Sequence, residues 1–136
     1  MKIISIDYGD KRTGLAVSDE SGKLAKRFGT LENKGEEPLI IEIKKILLEE
    51  KITLILVGVP VGLNAESDQT RKTNHFIMLL KRMTDIPVEC VNEMYTSKMA
   101  EKNLMDAGKR GIEIKELIDQ EAARIILQEY LDKNIK

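Results

Sequence analysis

The feature that most restricts what this chain can fold into is a change of period. Up to Leu31 it reads as three strands, near 2–8, 13–19 and 23–31, joined by glycine-bearing turns at Gly9-Asp10 and Ser21-Gly22. From Pro38 onward the apolar residues recur at helical spacing. Leu39, Ile40, Ile43, Ile46 and Leu47 form one stripe of a helix reaching about Glu50, with Pro38 placed at its first position. The run Ile52–Pro60, "ITLILVGVP", is then continuously apolar, the pattern of a strand covered on both faces. A polar loop, 61–67, leads to a helix over 68–83 and a strand over 88–92. A helix capped by Thr96 or Ser97 and stopped at Gly108 follows, and then a last helix over about 114–131. The order βββ, then αβαβαα, predicts an α/β fold with a mixed five-stranded sheet flanked by helices. In that sheet an antiparallel meander of three strands is extended by parallel strands reached through right-handed crossovers.

With 136 residues there is room for one domain, 1–136, with one sizeable core. Apolar residues at 42% and charged residues at 33% exclude disordered and fibrous classes. No run approaches the roughly 20 apolar residues of a membrane span, and the N-terminus enters a strand without a leader pattern, so a cytoplasmic location is expected. Cys90 is the only cysteine and His75 the only histidine, which excludes a Cys/His zinc site and leaves oxygen ligands for any metal. Cys90, inside the apolar run 88–91, is expected to be a packed thiol, His75 a surface side chain, and Tyr8 a packing residue over the first turn. The net charge of −1 gives no global nucleic-acid footprint, and basic residues are gathered only locally, as at Lys11-Arg12 and Lys109-Arg110.

In an open parallel sheet, ligands gather beyond the carboxyl ends of the strands. Asp7 ends the first strand, Gly58-Val59-Pro60 ends the buried one, and Asn92-Glu93 ends the last, so Asp7 and Glu93 are expected at one edge. Two carboxylates about 4 Å apart repel by roughly 4 kcal/mol at an effective dielectric near 20, so they share a proton or bind a cation. Hard oxygen donors point to Mg²⁺ or Mn²⁺. Asp119 lies one residue past the apolar stripe of the last helix. The small residues Ala122 and Ala123 one turn on would let that helix close on the sheet, so Asp119 is expected to lean over the same edge.

The segments that carry these acids also carry a resemblance. "IDYGDKRTGLAVSD", "LVGVP" at 56–60, "QTRKTNHF" at 69–76, the Glu and Thr-Ser of "VNEMYTS", and "IDQEAARIILQEYL" at 118–131 resemble, in order and over essentially the whole chain, the blocks of the YqgF/RuvX family. That family is described as Holliday junction resolvase-like proteins and pre-16S rRNA nucleases. The resemblance implies an RNase H-like fold and a catalytic, metal-holding triad of Asp7, Glu93 and Asp119. On this reading the acids hold Mg²⁺ or Mn²⁺ for phosphodiester hydrolysis, while Lys11, Arg12, Lys98, Lys109 and Arg110 bind the nucleic-acid backbone. The partner would be precursor rRNA or branched DNA, with the ribosome as a further partner. Either a monomer or a homodimer is compatible. Where the family writes Asp-Glu-Arg this chain has Asn92-Glu93-Met94, and its 62–65 loop reads "GLNA". Processing of the 5′ end of precursor 16S rRNA is the leading expectation. Resolution of Holliday junctions, a non-catalytic RNA-binding role in ribosome assembly, and an actin- or hexokinase-like nucleotide-binding domain stand as alternatives.

Overall fold

The computed structural model describes residues 1–60, 68–93 and 96–134; the 61–67 loop lies outside the described residues, as do the side chains of Glu93 and Ser97. Strands β1 (Ile3–Asp7), β2 (Arg12–Ser18) and β3 (Ala25–Glu32) are followed by α1 (Glu36–Glu49), β4 (Leu54–Pro60), α2 (Asp68–Met83), β5 (Val88–Glu93), α3 (Thr96–Asp106) and α4 (Ile112–Asn134). The sheet order is β3-β2-β1-β4-β5. β1 pairs antiparallel with β2 and β2 with β3, whereas β4 is parallel to both β1 and β5, as the alternation of elements requires.

Alternation along the strands sorts the core into two layers. Ile4, Ile6, Leu15, Ile55 and Val57 face α1 and α2, where Leu39, Ile43, Phe76 and Leu80 meet them. Ile3, Ala16, Leu54 and Leu56 face α4, against Ala123, Leu127 and Leu131. Each Ile or Leu so buried contributes about 2 kcal/mol of transfer free energy. The side chains on the α4 side are smaller, and that helix lies correspondingly close to the sheet. Tyr8 is buried and stacks on Phe76 with ring centroids 4.3 Å apart, so it serves packing rather than base contact. His75 is a surface residue, its Nδ1 2.8 Å from Glu36, tying α2 to α1.

Three details depart from the sequence reading. Helix α1 begins at Glu36, which makes Pro38 its third residue; its missing N–H is still one of the four that no helical carbonyl could accept from. Helix α4 begins at Ile112, whose exposed side chain carries no periodic signal. Cys90 is exposed, not packed. β5 is an edge strand of the sheet, and the cover that reaches Val88 at its start does not extend to position 90. No described helix is long and apolar enough to cross a membrane.

Candidate active site

The carboxyl edge of the parallel strands is built around one glycine. Gly14 of β2 pairs with Asp7 of β1, and on its other side it lies against the backbone of α4. A Cβ placed on Gly14 would stand 2.1 Å from the carbonyl carbon and oxygen of Asp119 and 2.7 Å from the nitrogen of Gln120. Only a residue without a side chain lets the helix cross there, and the crossing sets Asp119 over β2 at the residue paired with Asp7. The sequence reading credited Ala122 and Ala123 with this approach; both are buried under α4, but contact at the acid itself depends on Gly14.

The third acid follows from register. β1 and β4 pair Ile6 with Val57, and β4 and β5 pair Pro60 with Glu93. Residue 93 is therefore two strands across from Asp7 and two residues further along, a backbone separation of about 12 Å from standard strand spacings. Among the described residues no three His, Cys, Asp or Glu side chains form a metal-binding group; the Glu93 side chain is not among them.

Asp7 is half-buried at the strand end. Asp119 keeps 26% of its side chain accessible, and burial pushes its carboxyl above the ordinary carboxylate value, an effect that the nearby Arg12 charge only partly offsets. Arg12 Nε lies 3.4 Å from Asp119 Oδ2. The turn that carries Lys11 and Arg12 is held from several sides. Asn33 Nδ2 donates to the Gly9 carbonyl at 2.8 Å, Gln69 Nε2 donates to the Tyr8 carbonyl at 3.1 Å, and Lys72 Nζ reaches Asp10 at 3.2 Å. Gly9 itself has no room for a side chain, because its Cβ would fall 2.4 Å from the Arg12 carbonyl oxygen.

The remaining basic residues proposed to bind nucleic acid lie at the surface. Lys11 and Arg110 are exposed, Lys98 is exposed in the first turn of α3, and Lys109 pairs with Glu113 at 3.6 Å in the turn joining α3 to α4. The α3–α4 hairpin places that turn, with the first turns of α4, ahead of Asp119 along the helix.

One charged residue beside the site was not anticipated. Glu121 is only 4% exposed, yet it is ionised: burial pushes its carboxyl up, but hydrogen bonds from Arg124 and Asn103 and the charges of Arg124 and Arg27 outweigh that and hold it below the usual range. Arg124 donates to it at 2.8 and 2.6 Å and Asn103 at 3.1 Å. The network joins α3, α4 and β3 two residues from Asp119. The Glu121-Arg124 spacing of i, i+3 was the signal that could have found it.

A model of the family described as RuvX, Holliday junction resolvase, matches residues 1–133. A relative from Dictyoglomus thermophilum, named "Putative pre-16S rRNA nuclease", is 35% identical over 98% of this chain and 97% of its own; one of the same name from Maridesulfovibrio salexigens is 36% identical over 96% and 98%. Among solved structures, the fowlpox virus resolvase in complex with Holliday junction DNA superposes with a TM-score of 0.63 at 15% identity, covering 100% of both chains. Thermus thermophilus RuvC bound to a Holliday junction substrate gives 0.63 at 15% identity over 98% and 94%. These two share the fold, which is RNase H-like as the family resemblance implied. The chain belongs to the RuvX family, whose relatives here are named as nucleases, hydrolases acting on ester bonds.

Proposed function

We propose that this chain is a divalent-metal-dependent endonuclease that trims the 5′ end of precursor 16S rRNA, with Asp7, Glu93 and Asp119 as its catalytic and metal-holding acids. The observation that carries the reading is the convergence of Asp7 and Asp119 on either side of Gly14 at the carboxyl edge of the sheet. The donor set fits Mg²⁺ or Mn²⁺. It is all carboxylate oxygen, it is partly desolvated, and a guanidinium already stands beside Asp119 where positive charge is needed. A bound divalent ion would supply Lewis acidity, making water nucleophilic at neutral pH and neutralising charge on the departing 3′ oxygen.

The chain's own residues do the rest. The acids fix where the phosphorus is attacked and the P–O3′ bond broken. Lys11 and Arg12, on a turn held by Asn33 and Gln69, place the scissile strand by its phosphates. Lys98, Lys109 and Arg110 hold flanking backbone, an electrostatic contribution that weakens as salt rises. A substrate of this kind places the enzyme in the cytoplasm with the assembling ribosome as partner. The family's description as Holliday junction resolvase favours a second reading, cleavage of branched DNA.

The test is cleavage of precursor 16S rRNA and of a four-way DNA junction, each with Mg²⁺ and with Mn²⁺, by the wild type and Asp7→Asn. Cut rRNA at its 5′ end, with the variant folded, still binding RNA, and inactive, is the expected result. Preference for the junction moves the assignment to the second reading. Full activity of Asp7→Asn, or a wild type inert on both substrates with both metals, overturns it.

A further inference from the structure

The Arg12-Asp119 pair does more than neutralise a buried acid. Its 3.4 Å separation is longer than the 2.7–2.9 Å typical of a good charge-assisted hydrogen bond, and Arg12 keeps 44% of its side chain accessible, so the pair is a loose and exchangeable one. The guanidinium nevertheless stands at Oδ2, one of the only two oxygens that Asp119 could offer a divalent ion. A guanidinium and a doubly charged ion cannot both sit against one oxygen without strong repulsion. Arg12 is moreover the first residue of β2, two residues before Gly14, so its backbone is held by the sheet while its side chain can exchange partners.

Resting on the acid-site reading above, we infer that Arg12 and the divalent ion compete for Asp119, so that metal binding releases the Arg12 side chain to a backbone phosphate. Arg12 is then a positioning residue that couples the two ligands. The ion gains its site by displacing the arginine, and the arginine becomes available to nucleic acid when the ion is present. Coupling of this kind is reciprocal: nucleic acid that draws Arg12 away must tighten the metal by the same factor.

The experiment measures free Mn²⁺ by electron paramagnetic resonance in titrations of the wild type, Arg12→Gln, Arg12→Ala, Asp119→Asn and Lys34→Gln, with thermal unfolding recorded for each. Lys34 carries an exposed charge on the stretch after β3, paired with Glu32, and serves as the charge control. Competition requires Arg12→Gln and Arg12→Ala to bind Mn²⁺ at least threefold more tightly than wild type, with Lys34→Gln within a factor of about 1.5. It also requires a short RNA to tighten Mn²⁺ in the wild type but not in the Arg12 variants. Unchanged or weaker Mn²⁺ binding in both folded Arg12 variants, or equal tightening in Lys34→Gln, overturns the competition while leaving the metal site standing. Wild-type Mn²⁺ affinity in Asp119→Asn removes the acid-site reading and this inference together.

Discussion

Replacing Gly14 with alanine tests the geometry on which the site depends. The added methyl would meet the Asp119 carbonyl at 2.1 Å, and ordinary contact begins at 3.4 Å, so helix and strand must part by about 1.3 Å. Both partners are backbone, so no side-chain rotation can absorb the clash. Parting them opens the layer in which Ala123, Leu127 and Leu131 pack on Ala16, Leu54 and Leu56, and a gap of that size forfeits much of the dispersion energy of those contacts. Overpacking on this scale costs about 3 kcal/mol. For a domain of this length that lowers Tm by about 10 °C. Asp119 moves with its helix, and a misplacement near 1 Å costs about 100-fold in cleavage. Gly29 is the internal control: it lies in β3 with nothing within 4 Å of its Cβ, so Gly29→Ala should leave activity unchanged and stability equal or higher by about 0.5 kcal/mol. Calorimetric unfolding and initial cleavage rates on the two variants decide the matter. A Gly14→Ala protein within 0.5 kcal/mol of wild type and fully active would refute the account of how α4 brings Asp119 to Gly14.

Two further outcomes follow from the buried acids. Because the folded Asp119 carboxyl is raised, the native chain holds a proton there that the unfolded chain has released, so this group lowers stability as pH rises through the window just above the ordinary carboxylate value of 3.8. Asp119→Asn should therefore unfold at a higher temperature than wild type at pH 7 and lose that advantage near pH 3, while losing cleavage. Glu121 has the opposite sign: its folded value is lowered from 4.5, so its stabilisation is full above that pH and is lost as pH falls through the folded value. Glu121→Gln should cost about 2 kcal/mol in urea unfolding at pH 7, with the gap closing in acid.

Much of this molecule was legible because its signals are local. The continuous apolar run at 54–57 and the periodicity of α1 and α2 fix elements without knowledge of distant partners, and the strand pattern places Asp7 at the end of β1, at the carboxyl edge of the parallel strands. What was not legible depends on partners far away in sequence. The role of Gly14 requires knowing that α4 crosses there, and the burial of Glu121 requires Arg27 on β3 and Asn103 on α3 as well as its neighbour Arg124. Cys90 misled because an apolar run reports burial of a strand in general, not whether the strand lies in the middle or at the rim of its sheet.

The candidate acids come from the first strand, the last strand and the last helix, and α4 also lies across β1, β2 and β3. A nascent chain that has not yet emerged past residue 119 therefore holds a sheet with one bare face and lacks one of its proposed ligands. On the acid-site reading proposed above, such an enzyme would be silent while it is being made and would acquire cutting power in the same event that seals its hydrophobic interior.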